Sequence, residues 1–360
     1  MSEARSPSSP SDLSPRQARD RFLDKRSMEN SAKTIRSYRN RLTEWVAWCE
    51  ERDIQHVDDF SGWLFDEYER FLRAEENAPT TVKGKMTALT QLVQYLETIE
   101  AVEEGLSEKV HVPKLTRSQE TSDTMLDTED AKALLEFYRN DPGHFGTPPH
   151  AVLEVLWNTG CRLGALRGLD LGDYDADAGY LDFNHRPESG TPLKNDEQGE
   201  RVVRISGAVT EALDAFIARE RSDKRDNHGR EPLFAGRQGR VTDSTIRAWT
   251  YQGTQPCLYM QCPHGSSRGS CKFIQRSHAS KCPSSRAPHH VRTGSLTWHC
   301  DRGLPIEVIS ERVDADPDTI KRYYDKADRL RKMEERRQEY TADLDIDENS
   351  DANDDHGDNS

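Results

Sequence analysis

Apolar residues in the first hundred positions recur every three or four residues rather than every two, a spacing that demands helices and leaves no room for a sheet. Between residues 31 and 51 the series is Ile35, Tyr38, Leu42, Trp45, Val46 and Cys49, with Arg36, Arg39 and Arg41 between them. A second series, Val82, Met86, Leu89, Val93, Leu96 and Ile99, follows Pro79, a residue favoured in the first turn of a helix. Shorter patterns cover 15 to 27 and 61 to 74, so residues 15–105 are expected to form a helical bundle. Residues 1–14, rich in Ser and Pro, are expected to be disordered. Residues 106–125 read as a linker.

Beyond residue 126 the periodicity changes. Helical patterns cover 128 to 138 and 149 to 158, and two β-rich stretches, 174 to 183 and 201 to 205, flank a polar hairpin around Lys194. Helices return over 208 to 221, 243 to 249, 291 to 302, 305 to 312 and 317 to 338. The expected class is mainly α with a small β component, an α+β unit over 126–338 following the bundle. Residues 339–360 are expected to be a disordered acidic tail. No apolar run approaches the roughly 18 residues that a membrane helix needs. The first residues carry no apolar core of a secretory signal, so the expected compartment is the cytoplasm, with no membrane partner.

Three short motifs carry chemistry. Thr159-Gly160-Cys161-Arg162 places an Arg just after a Gly turn. Pro288-His289-His290-Val291-Arg292 spaces a His and an Arg so that a helix puts them on one face. Lys321-Arg322-Tyr323-Tyr324 follows near the C-terminal end. An Arg after Thr-Gly, a Lys on a β-hairpin, His-x-x-Arg after Pro and then a Tyr resemble, in that order, the tyrosine recombinase (phage integrase) family, the group that includes XerC/XerD-like site-specific recombinases.

The resemblance implies a SAM-like helical core-binding domain followed by a catalytic, DNA breaking-rejoining domain. It implies a DNA recombinase or integrase acting through a 3′-phosphotyrosine, with no cofactor required for catalysis, on double-stranded DNA and as a homo-tetramer on synapsed duplexes. Arg162, Lys194, His289 and Arg292 are the implied catalytic residues and Tyr324 the nucleophile, chosen over Tyr323 by helical phase. These residue types suit the reaction. A pentacoordinate phosphorus gathers negative charge that bidentate guanidinium groups can meet. A phenol with a pKa near 10 needs a base beside it or a cation to steady the phenolate. Two positions depart from the family pattern: Ala165 replaces an acid, and Val313-Asp314-Ala315 replaces Leu-Gly-His. They keep open the alternative of a catalytically impaired DNA-binding member.

The net charge of -14 sits awkwardly with a polyanionic partner, yet eight of the excess acids lie in the last twenty residues, which hold no Lys or Arg. Arg36, Arg39, Arg41, Lys83 and Lys85 are the candidate phosphate contacts of the bundle. Cys257, Cys262, Cys271 and Cys282, with His264 and His278 among them, lie in an insert at 257–282 that is locally basic. They read either as a structural zinc set or as free thiols packed in a loop.

Overall fold

The computed structural model describes residues 9–120 and 124–323. The chain divides into two compact units, one ending at Ser122 and the other starting at Asp123.

The first unit is a bundle of α1 (Pro15–Ser27), α2 (Ala32–Glu51), α3 (Gly62–Ala74) and α4 (Pro79–Thr98), ending in a single turn, α5 (Arg117–Glu120). Ser14, Ser31 and Ser61 cap the first three by accepting a backbone N–H with their hydroxyls. The helical stripe read from the sequence is the face that packs: Leu42, Trp45, Val46 and Cys49 of α2 meet Phe65, Tyr68 and Leu72 of α3 and Met86, Leu89 and Val93 of α4. Trp45 and Trp48 stack at 5.5 Å, and Tyr68 meets Trp45 edge-on at 4.9 Å. Two expectations are corrected here. Residues 9–14 are not unstructured: a 3-10 turn, Pro10–Asp12, leads to Leu13, which is buried in the core and accepts the Val57 N–H. The start of the expected linker also belongs to the bundle, because Leu106 and Val110 are buried in the same core.

The second unit wraps around α7 (Pro148–Thr159), which is buried from His150 to Trp157 on every face, its His150 and Glu154 paired with each other and Glu154 with Arg139. Against α7 pack α6 (Thr128–Asn140), α9 (Gly207–Arg219), α10 (Asp243–Gly253) and α11 (Pro288–Asp301). A short α8 (Leu163–Gly168) leads from α7 to a three-stranded antiparallel sheet of β1 (Tyr174–Asp175), β2 (Tyr180–Phe183) and β3 (Arg201–Arg204), in that order. The first β-rich stretch is therefore two strands folded at Gly179, whose φ of 69° supplies the left-handed turn. Tyr180 pairs with Arg204 and Phe183 with Arg201, which turns Leu181, Phe183 and Val203 to the core. A two-residue ladder, β4 (Ala235–Gly236) with β5 (Gly239–Arg240), precedes α10. The insert is a string of 3-10 turns, and α12 (Ile306–Val313) and α13 (Pro317–Tyr323) close the described chain. The remainder of the helix expected over 317 to 338, and the acidic tail, lie outside the described residues. Among the described residues no helix is long and apolar enough to cross a membrane.

Gly294 lets α11 approach the start of the unit. A Cβ built there would lie 1.9 Å from the Leu126 carbonyl oxygen, whose own N–H donates to His290 O. No rotamer relieves a clash with backbone, so Gly294→Ala is expected to destabilise the second unit by about 2 kcal/mol or more, read as a lower urea midpoint. An unchanged midpoint would show that α11 does not sit this close.

Candidate active site

The site is built around the last turn of α12. A helix C-terminus leaves its final carbonyls without intrahelical partners and carries partial negative charge, so it attracts cations. Here three consecutive carbonyls each receive an arginine from a different element. Arg201 Nε on β3 donates to Arg312 O at 2.9 Å, Arg292 Nη1 on α11 to Val313 O at 2.8 Å, and Arg162 Nη1 at the N-cap of α8 to Asp314 O. Arg292, almost wholly buried, also donates to Gly160 O at 2.5 Å. Gly160 ends α7 with φ 59°, and a Cβ there would press on Leu296 and Val313 at about 3 Å, so a glycine is needed for α7, α11 and α12 to meet. Residues far apart in the sequence thus converge because one turn offers each of them an acceptor.

His289 lies on the first turn of α11 and stays accessible to solvent. Desolvation, then the charges of Arg292 and Arg162, hold its pKa below the ordinary histidine value, which places all three groups in one electrostatic neighbourhood and keeps the ring neutral near pH 7. Lys194 is exposed on a turn of the connection between β2 and β3. That connection is tied to the site by its neighbour, Asn195, whose Nδ2 donates to Asp314 Oδ1 at 2.7 Å. Tyr324 lies outside the described residues.

Asp314 is the residue that sequence reasoning passed over. It caps α12 in the left-handed region, φ 54° and ψ 63°, and its Oδ2 accepts from Arg162 Nη1 at 2.5 Å. An acid just after a helix C-terminus, where cations are favoured, was the available signal. Arg201 is the second omission: its guanidinium stacks on Phe183 at 4.4 Å, burial lowers its pKa, and its Nη2 is buried with no hydrogen-bond partner among the described residues.

Neither spare histidine near the motif serves the site. His290 Nδ1 accepts the Ala287 N–H at the helix start. His299 is buried in α11 and its Nδ1 donates to Ser295 O at 2.7 Å. Burial takes the His299 pKa down to about 4. A histidine whose folded pKa lies below its unfolded value of 6.5 costs nothing while neutral in both states. Its contribution is complete above 6.5 and lost as pH falls towards 4, about 3 kcal/mol in all. The wild-type urea midpoint is therefore expected to fall across that window, and less so in His299→Gln; equal slopes would remove His299 as the cause.

The cysteine insert does not gather as a zinc set. Among the described residues no three His, Cys, Asp or Glu side chains are grouped to hold a metal ion. Cys257 Sγ instead faces the Arg268 guanidinium at 2.9 Å, His264 bonds Ser284 Oγ, His278 bonds Ser277 Oγ, and Cys282 is buried. Closeness in sequence did not become convergence, because the 3-10 turns carry the thiols apart. In the bundle, Arg36, Arg39 and Arg41 are exposed on α2, with the Arg41 guanidinium lying over Gly84 of α4. Lys83 is paired with Glu120 at 2.8 Å, and Lys85 with Glu44.

Residues 20–102 match the family model described as phage integrase, N-terminal SAM-like domain. The chain is 27% identical over 207 residues to the tyrosine recombinase XerC of Herpetosiphon aurantiacus, covering 58% of this chain and 63% of that protein. It is 25% identical over 212 residues to XerD of Halalkalibacterium halodurans, covering 58% and 66%. The chain thus spans a little under two thirds of these curated relatives. Among solved structures, the Tn1549 transposon integrase in complex with a circular intermediate DNA matches with a TM-score of 0.62 at 13% identity, over 88% of this chain and 97% of that one.

Proposed function

We propose that this chain is a member of the tyrosine recombinase family, a site-specific DNA recombinase or integrase that cuts and rejoins duplex DNA through a bond between Tyr324 and a 3′-phosphate. The observation that carries this reading is the convergence of Arg162 and Arg292 on the last turn of α12, with His289 close enough for its pKa to feel both charges. In the proposed reaction the Tyr324 oxygen attacks phosphorus while its proton passes to His289. The P–O5′ bond breaks, and Lys194, on its exposed turn, gives a proton to the leaving 5′-oxygen. Arg162 and Arg292 hold the two non-bridging oxygens as charge builds on them. The phosphotyrosine keeps the energy of the broken ester, so a second 5′-hydroxyl can reverse the step, and the scheme asks for neither a metal nor ATP.

In this reading the helical bundle, residues 9–110, forms the core-binding domain and 126–338 the catalytic domain. Arg36, Arg39 and Arg41 meet phosphates directly, and Lys83 and Lys85 do so by exchanging Glu120 and Glu44 for DNA. A homo-tetramer on two synapsed duplexes in the cytoplasm completes the proposal.

A second reading, DNA binding without cleavage, is favoured by the Asp314 carboxylate on Arg162. Trapping on a nicked duplex separates the two. A covalent protein–DNA band supports the recombinase, whereas binding with no band leaves the impaired member.

A further inference from the structure

The geometry points to Asp314 as a latch, a positioning residue whose carboxylate occupies Arg162 until a phosphate takes its place and which thereby ties phosphate arrival to release of the loop carrying Lys194. This rests on the phosphoryl-transfer reading of the same site.

Three observations support it. The two carboxylate oxygens have separate partners: Oδ2 accepts from Arg162 and Oδ1 from Asn195, so one group bridges the arginine and the connection between β2 and β3. The position is tight. The Asp314 side chain is about one-tenth exposed, and a Cβ on Gly199, in the same connection, would come within 3.2 Å of Oδ2. The surroundings are cationic: besides burial, the charge of Arg162 lowers the Arg201 pKa and that of Arg201 lowers the Arg312 pKa, while the Asp314 carboxylate acts on Arg201 in the opposite sense.

A carboxylate offers a pair of anionic oxygens, as the non-bridging oxygens of a phosphate do, and Arg binds either through its N–H donors. When a phosphate engages Arg162, the Asp314 carboxylate faces a like charge and its own counter-ion is withdrawn. It must turn away or reorient, and the bond to Asn195 goes with it. The Arg162 contact to Asp314 O is made by the main chain and survives, so the arginine stays placed while its carboxylate partner changes. Lys194, next to Asn195, is then free to swing towards the leaving oxygen.

Inorganic phosphate is the probe, with affinity read from the melting temperature of the full chain as phosphate is added. Two variants remove the charge: Asp314→Gly, which suits the left-handed backbone, and Asp314→Asn, which keeps the shape. Both are expected to bind phosphate about ten-fold more tightly than wild type, and the gain should vanish when Arg162→Ala is added. In wild type, phosphate should speed hydrogen exchange of the amides at 193–197. Unchanged or weaker phosphate binding in both variants, a gain that persists without Arg162, or exchange at 193–197 that ignores phosphate would each overturn the latch. None of these readouts depends on strand cleavage, so failure of the recombinase reading shows separately, as the absence of a covalent DNA band.

Discussion

Tyr324→Phe is expected to abolish the covalent complex on a nicked duplex and to leave DNA affinity unchanged. The phenol oxygen is the one atom lost, and it is the atom proposed to bond to phosphorus, so the expected effect is all or none. On a nicked substrate the short strand beyond the cleavage point diffuses away, rejoining is prevented, and each cleavage leaves a protein–DNA adduct that a denaturing gel resolves. Tyr323→Phe is the partner experiment. Tyr323 is the last residue of α13, one position away, and its variant should still form the adduct. An adduct in Tyr324→Phe that disappears in Tyr323→Phe would move the nucleophile by one residue and shift the phase of the helix expected to run on from α13.

Arg292→Lys tests the arginine cage. Lysine preserves the charge but not the planar fork. Arg292 Nη1 serves two buried carbonyls, Gly160 O and Val313 O, and an ammonium on a flexible stem cannot hold both and still face phosphate. Single-turnover cleavage at equal DNA occupancy should slow by about 10²–10³, the usual loss when one preorganised donor to a charged transition state is removed. Leaving a buried carbonyl poorly satisfied should also cost about 1–3 kcal/mol of stability. A cleavage rate within a factor of three of wild type would mean that Arg292 holds α7 and α12 together and does nothing for the phosphate.

The helices were legible because burial imposes its period on the sequence: the stripe from Ile35 to Cys49 and the Val82 to Ile99 series are the faces that pack. The order of Arg162, His289 and Arg292 was legible as a motif, although nothing in the spacing revealed what brings them together. That agent is main chain, the carbonyls of Arg312, Val313 and Asp314, which every sequence possesses equally and none advertises. Asp314 read only as a departure from a pattern, because an aspartate in a turn is commonplace and its reach to Arg162 depends on a backbone conformation that the neighbouring residues do not specify. Leu13 was lost in a Ser/Pro-rich stretch, where one apolar side chain is too weak a signal to mark a buried anchor. The four cysteines left a zinc set and free thiols in a loop both open, because proximity along the chain does not decide convergence in space.

Acceptors made of main chain cannot be deleted by changing a side chain. A point-mutation scan across residues 312–315 would mostly register altered packing and would pass over the carbonyls that hold three arginines. Length is the vulnerable property. One residue inserted or removed within α12, ahead of Arg312, would turn all three carbonyls about the helix axis and misalign the three arginines together, so this stretch should tolerate altered spelling far better than an altered letter count.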